Sequence, residues 1–380
     1  DREKLNNELE KINIAIVDDN FDLKHIDLKE NINQDFTKIK DVLTLQNNRG
    51  HGTSVAGIIG ADSNNEEGIT GVFWNADLRL YDNFGSAFTS TFTPISMMKE
   101  AIKDGAKIIN GSFGTLLSNS VARFYYDIYA SSLFLYCDAT LINPNENCAA
   151  KVLFVFAVDN EVNIEKNFKN YIPAALSESL PNVISVTRVN PLPSSYIPTE
   201  SLGLFAQGGN VSVAAPGYLY TTKIGDTYGP VFGTSFATPM VSGLAGLLLT
   251  KNPALTPPQL KDIIIGGACK GGKEIANWDE LIENDKNIPE YIPVINAFES
   301  VKLADNPAAA KNACNTTNLG TITTLVPSFI ADHAVPAIYF DGGYVYYNAL
   351  NGTNYQILRV KETGGNQELI LEDMALRASS

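Results

Sequence analysis

Short runs of β-branched and aliphatic residues recur along this chain at 12–17, 107–110, 152–158 and 183–189, with helix-forming stretches between them. Strands that alternate with helices build a parallel sheet, because each return to the same edge needs a crossover, and a helix provides it. The expected fold class is therefore α/β, a mostly parallel sheet flanked by helices. One helix is clearly punctuated. Thr93 caps it, Pro94 fits its first turn, Ile95, Met98, Ala101 and Ile102 recur at helical spacing, and Gly105 ends it. Thr256-Pro257-Pro258 opens a later helix in the same way.

The pattern changes near residue 302. Residues 305–320 are rich in Asn, Pro, Ala and Thr and read as a linker. Beyond them Asn351-Gly352 stands between the runs 344–347 and 355–360, a strong hairpin signal, and 368–372 adds a third strand. Two domains are expected: 1–302, which carries the chemistry, and 303–380, a small β-rich C-terminal extension.

Composition narrows the function. The 380 residues include 28 Lys and Arg against 42 Asp and Glu, a net charge of −14. That balance argues against nucleic acid as a partner, since phosphate binding needs clustered cations. Apolar residues make up 44% of the chain, enough for a large core. The longest apolar stretch, 240–249 with Ser242 inside it, is about half of the ~20 residues a membrane span requires, so no span is expected. The charged opening Asp1-Arg2-Glu3-Lys4 is no leader, so the protein is expected either to be cytosolic or to have lost a leader and pro-segment. Cys137, Cys148, Cys269 and Cys314 form no Cys-x-x-Cys pair, which argues against structural zinc. They allow three disulfide pairings, of which the sequence-local one joins Cys137 to Cys148 and Cys269 to Cys314 and implies an oxidising compartment. The alternative is four buried thiols.

Four segments carry chemistry. Asp18-Asp19-Asn20 follows the first strand, and Asp159-Asn160 follows another. His51-Gly52-Thr53-Ser54 and Gly233-Thr234-Ser235-Phe236-Ala237-Thr238-Pro239 each open a helix. A serine hydroxyl is a weak nucleophile at neutral pH and needs a base, which in turn needs an orienting group. Strand ends and helix starts converge on one edge of a parallel sheet, so Asp, His and Ser can meet there. Ser235 near a helix N-terminus also gains backbone N–H groups and a dipole that favour a developing oxyanion.

The chain resembles the subtilisin family of serine proteases over about residues 8–303. The resemblance rests on Ile14-Ala15-Ile16-Val17-Asp18 with Asp22 and His25-Ile26-Asp27-Leu28, and on His51-Gly52-Thr53-Ser54-Val55-Ala56-Gly57 continued by Gly68-Ile69-Thr70-Gly71-Val72. Ile109-Asn110-Gly111-Ser112-Phe113-Gly114, Val213-Ala214-Ala215-Pro216-Gly217 and the Ser235 segment complete it. It implies a serine endopeptidase in which Ser235 attacks, His51 moves the proton and Asp18 orients the imidazole. Asn160 and the Ser235 backbone N–H would form the oxyanion hole. Ser112, Phe113 and Gly114 would line one side of the substrate site, and Ala157, Val158 and Asp159 the other. No cofactor is implied for the chemistry. Polypeptide substrates, a pro-segment during maturation, and a secreted, periplasmic or cell-surface location are implied, as is a structural calcium site using Asp27 and Asn65. The alternative is an inactive protein of the same fold, serving as a binding or adhesion module or as the passenger domain of a surface protein.

The chain also departs from the family. Asp19-Asn20 stands where Ser or Thr and then Gly is usual; a second carboxylate beside Asp18 can perturb the triad electrostatically, although neighbouring strand residues are expected to point to opposite faces. Ser54 replaces a second His. Residues 115–150 are longer than the usual connection. Asp159 replaces a Gly before the oxyanion Asn, which favours Lys or Arg substrates if its carboxylate faces the pocket, and caps the turn if it does not. Tyr171 is placed to narrow the same pocket.

Overall fold

A computed structural model of the chain describes residues 11–39, 50–82, 93–134, 149–160, 168–189, 211–271, 273–274, 291–311, 313, 338–341, 344–351, 354–361 and 368–373. The first half contains β1 (Ile12–Asp18), α1 (His51–Gly60), β2 (Ala76–Asp82), α2 (Thr93–Lys103), β3 (Ile108–Gly111), β4 (Thr115–Leu116), α3 (Asn119–Phe134) and β5 (Leu153–Ala157). It is followed by β6 (Tyr171–Ile172), β7 (Val183–Val189), β8 (Val213–Pro216), β9 (Tyr218–Lys223), β10 (Thr227–Phe232), α4 (Thr234–Lys251), α5 (Pro257–Gly271), β11 (Lys273–Glu274), β12 (Tyr291–Ile292), α6 (Ala297–Ala304) and α7 (Pro307–Ala310).

Six of these strands form the central sheet in the order β2-β1-β3-β5-β7-β8, and every neighbouring pair is parallel. Both faces are covered, which is why the strands read as continuous apolar runs. Along β1, Ile14 and Ile16 join a core with Val55 and Ile59 of α1, Val241, Leu244 and Leu248 of α4, and Ile263 of α5. Ala15 and Val17 point the other way and pack with Ile95, Met98 and Ile102 of α2 and Tyr129 of α3. The α4 helix is buried on nearly all sides, and each of its fully buried Val and Leu side chains stabilises the fold by about 1.5–3 kcal/mol.

The hairpin of β9 and β10 is stitched to α1 by hydroxyls. Thr221 Oγ1 donates to the Ser54 carbonyl at 2.9 Å, Thr222 Oγ1 to the Thr53 carbonyl at 2.7 Å, and Ser54 Oγ to the Thr222 carbonyl at 2.9 Å. Ser54 is thus a buried packing residue, and the helix that begins at His51 is held from two sides. None of the described helices is long and apolar enough to cross a membrane.

The C-terminal strands β13 (Ile338–Asp341), β14 (Tyr344–Asn351), β15 (Asn354–Lys361) and β16 (Glu368–Asp373) form a separate antiparallel sheet in chain order. The strands β14 and β15 pair on either side of the Asn351-Gly352 signal, with Asn351 opposite Asn354. The α6 helix runs across the 302/303 boundary read from composition, and Ala304, Ala310 and Ala313 are buried in the core. Cys137, Cys148 and Cys314 lie outside the described residues, as does the side chain of Cys269.

Candidate active site

The carboxyl ends of β1, β3 and β5 meet the N-termini of α1 and α4 along one sheet edge. Asp18 ends β1 and is 4% exposed, so its charge needs a partner. His51 opens α1, and its Nδ1 lies 2.6 Å from Asp18 Oδ1. With Asp18 as the acceptor of that bond, Nδ1 carries the proton and Nε2 is left as the basic nitrogen. The loop after β1 is clamped to the same helix. The Asp19 carbonyl accepts from Gly52 N–H at 2.7 Å, and the Asn20 carbonyl from Thr53 Oγ1 at 2.9 Å. The His51 ring also rests against Phe236, with centroids 5.1 Å apart. Burial works most strongly against its protonated form, but the charge of Asp18, the hydrogen bond to it and the charge of Asp19 outweigh burial. His51 therefore titrates above its ordinary value.

Asp19 does not follow strand alternation. The strand ends at Asp18, and Asp19 sits in a bend, so that oxygens of Asp18 and Asp19 and a ring nitrogen of His51 lie within 4.8 Å of one another. The expectation that it faces away from the pair is thereby corrected: alternation holds only while the chain stays extended.

Ser235 is the second residue of α4. Four residues later comes Pro239, which has no N–H, so the Ser235 carbonyl lacks its donor within the helix. Ser112 Oγ supplies one at 2.8 Å, and Ser235 Oγ in turn donates to the Ser112 carbonyl at 3.1 Å. Ser112 Oγ accepts from Asn110 Nδ2 at 2.9 Å, and Asn110 Oδ1 accepts from Ser242 Oγ at 2.8 Å. A buried relay thus ties the middle of α4 to the end of β3 and to Ser235. The sequence motif around Ser235 includes Pro239 but does not reveal what the proline does, and sequence reasoning missed Ser242 as part of the site. The available signal was a Ser within an apolar run and a Pro at the fourth position after the Ser.

Asn160 is exposed at the end of β5, and its Oδ1 accepts from Thr234 N–H at 2.8 Å and from Thr234 Oγ1 at 3.2 Å. Because a backbone N–H can only donate, the amide is oriented with Nδ2 as the outward donor. Gly233, just before, has φ +145°, a conformation that side chains rarely adopt, and an added Cβ would lie 3.1 Å from Asn160 Oδ1. Thr234 Oγ1 also donates to the Val158 carbonyl at 2.7 Å, which fixes 158–160 against the start of α4.

Gly114 and Asp159 flank Tyr171. The Tyr171 ring lies so close to Gly114 that any side chain there would overlap it. Burial, and then the charge of Asp159, push the Tyr171 phenol up. Ser112, Ala157 and Val158 are buried, whereas Phe113, Gly114 and Asp159 are half-buried.

A family model described as the subtilase family matches residues 10–352. The chain belongs to the subtilase family. It is 32% identical to thermitase from Thermoactinomyces vulgaris over 243 residues, which cover 63% of this chain and 75% of thermitase. It is 29% identical to subtilisin E from Bacillus subtilis (strain 168) over 276 residues, 70% of this chain and 64%, less than two thirds, of that protein. Its fold is similar to that of the nisin leader peptidase NisP from Lactococcus lactis, with a TM-score of 0.55 at 21% identity over 78% of this chain and 88% of that one. It is likewise similar to the prenylagaramide maturation protease PagA, with a TM-score of 0.54 at 22% identity over 77% of this chain and 93% of that one. At these identities the two structures speak to the fold alone. By family, this subtilase is a subtilisin-like serine endopeptidase.

The calcium pair of the subtilase reading meets, but as donor and acceptor. Asp27 is fully buried, its Oδ1 accepts from Asn65 Nδ2 at 2.7 Å, and its Oδ2 accepts from Ile69 N–H at 2.8 Å. Asn65 Oδ1 faces Glu67 N–H at 3.2 Å, so the amide turns a donor, not a ligand, towards Asp27. Burial pushes the Asp27 carboxyl up, and these two hydrogen bonds pull it back. The neighbouring His25 is structural, accepting from Asp27 N–H through Nδ1 at 3.2 Å and donating from Nε2 to the Thr227 carbonyl at 3.2 Å. Calcium needs six to eight oxygens, and an amide N–H2 in the cage does not fit it. Thermal unfolding of Ser235→Ala protein, which cannot digest itself, should therefore give the same midpoint with calcium and with a chelator. A clear calcium-dependent rise would show that Asn65 turns its oxygen inward to bind the ion.

Proposed function

We propose that this subtilase cleaves internal peptide bonds through an acyl-enzyme, with Ser235 as nucleophile, His51 as base and acid, and Asp18 as the orienting carboxylate. The observation that carries the reading is the 2.6 Å contact from His51 Nδ1 to buried Asp18, which leaves Nε2 as the basic nitrogen beside the helix that bears Ser235. The steps follow from chemistry. Ser235 Oγ adds to the scissile carbonyl carbon as its proton passes to His51 Nε2, and the C–N bond then breaks as His51 returns that proton to the departing amine. Water next attacks the acyl ester, again giving a proton to His51, and the free acid leaves as Ser235 regains its hydrogen. Asn160 Nδ2, oriented by Thr234, and the Ser235 N–H at the start of α4 are the donors for the oxyanion. Before substrate binds, the Ser235 hydroxyl rests on the Ser112 carbonyl, and it turns to His51 in the loaded enzyme. Reading the chain as an inactive binding module leaves the paired Asp18 and His51 without a task.

Ser235→Ala should abolish covalent labelling by a fluorophosphonate and lower kcat by about 10⁶-fold, a magnitude known from subtilisins themselves. Wild-type activity should rise with pH through a midpoint above the ordinary histidine value, because only neutral His51 accepts the proton and its pKa is raised. An Ala variant that still cleaves peptides at the wild-type rate would show that another residue attacks.

We further propose that the substrate residue before the cleaved bond is basic. Asp159 is half-buried beside Tyr171, where a carboxylate gains from pairing with Lys or Arg, and the ring against Gly114 narrows the space for bulky apolar groups. Cleavage of a peptide library, read by mass spectrometry, should favour Lys and Arg, and Asp159→Gly should shift preference towards Phe and Leu. A wild-type profile already dominated by Phe and Leu, and unmoved by the substitution, would overturn the assignment.

The reading places the enzyme outside the cytosol, secreted, periplasmic or on the cell surface, and acting on polypeptides after loss of a pro-segment. The four cysteines support this when paired as Cys137–Cys148 and Cys269–Cys314. Intact mass after thiol alkylation without reductant should show no alkylated cysteine. Four alkylated thiols would remove this support.

A further inference from the structure

We propose that Asp19 is a positioning residue for the reaction, a second carboxylate that acts through space on the His51–Asp18 pair. The inference rests on the reading of His51 as the base. Its ground is geometric. Asp19 N–H donates to Asp18 Oδ1 at 2.8 Å, the same oxygen that holds His51, and the Asp19 carbonyl is pinned at 2.7 Å by Gly52 N–H in the first turn of α1. These two backbone contacts fix where the chain turns at Asp19, beside the start of the helix that carries His51. Oxygens of the two carboxylates and a nitrogen of His51 lie within 4.8 Å of one another. Asp19 Oδ1 and Asp18 Oδ2 are both buried, with no hydrogen-bond partner among the described residues. A negative charge on Asp19 so close to the ring favours the protonated imidazole.

Among the described residues, two further charged groups act on this cluster. Asp82 on β2 lies beside Asp18 in register and adds to the negative field. Lys223 on β9 opposes protonation of His51 and is itself held below its ordinary value by burial. Burial first, then the charge of Asp18, push the Asp19 carboxyl up to about 6, while His51 and Asn20 pull it down. Above that pH Asp19 is charged and favours the imidazolium that forms as Ser235 attacks. The same charge holds the resting His51 protonated to higher pH, so Asp19 raises the plateau rate and cuts activity in mild acid.

The test is the rate of Ser235 labelling by diisopropyl fluorophosphate, an uncharged reagent, followed across pH in the full chain. Asp19→Asn keeps the shape of the side chain and removes its charge. Its acid limb should move to lower pH, with labelling at the acidic foot about threefold higher relative to its own plateau, and the plateau itself should fall. Asp19→Ser is the second variant and should move the limb the same way. A residue that only shaped the loop would change the plateau and leave the limb in place. Limbs that superimpose on wild type in the folded variants would overturn the proposal. His51 is also titrated by NMR in Ser235→Ala protein with and without Asp19→Asn. A lowered His51 titration upholds the action of Asp19, and an unchanged one overturns it. His51→Ala separates the two readings, because labelling that survives in that variant defeats the triad while the NMR result still decides on Asp19.

Discussion

A buried carboxylate at the end of an interior strand is the constraint on which the site depends. Asp18 is 4% exposed, and an ion so placed costs several kcal/mol unless it is paired and hydrogen-bonded. Its Oδ1 takes donors from both His51 Nδ1 and Asp19 N–H. Those two contacts set the position of α1 relative to β1 and the path of the chain beyond the strand. The hydroxyl stitches from β9 then hold α1 from its other side. The imidazole is thus held by the fold itself, which is the preorganisation that the proposed proton transfer needs.

The second constraint is a missing donor. Pro239 deprives the Ser235 carbonyl of its helical hydrogen bond, and the vacancy is filled by Ser112 from a different element. Since Ser112 is in turn tied through Asn110 to Ser242 in the middle of the same helix, a proline that would ordinarily weaken α4 fastens it to β3. Buried hydroxyls and amides in such a relay are all satisfied, so they add specificity without the penalty of an unpaired polar group. Ser235 and the residues at the end of β3 are consequently fastened to each other.

Much of this was legible in the chain. The runs at 12–17 and 183–189 announced buried strands because apolar residues fill both faces, and β1 and β7 lie there. Thr93-Pro94 and Gly105 marked a helix by cap, first turn and left-handed exit, and α2 lies there. The strands β2, β9 and β10 were not read. In β2, Asp77 and Arg79 interrupt the apolar run and pair with each other at 2.8 Å, and β9 and β10 are rich in Thr and Tyr and carry a Gly and a Pro. Their strand character comes from partners distant in sequence, not from local pattern.

The sequence by itself determined the strand–helix alternation, the residues that carry chemistry, and their order, because periodicity and motif spacing are local properties of the chain. Tertiary structure alone decided which atoms face one another. Asp19 turns towards His51 and not away from it, Asn65 offers Asp27 a donor, and Ser235 rests on Ser112. In each case the outcome depends on where a strand ends, which way an amide is turned, or which distant group fills an unsatisfied valence. Those are settled by contacts between segments brought together by folding, and no local pattern of residues encodes them.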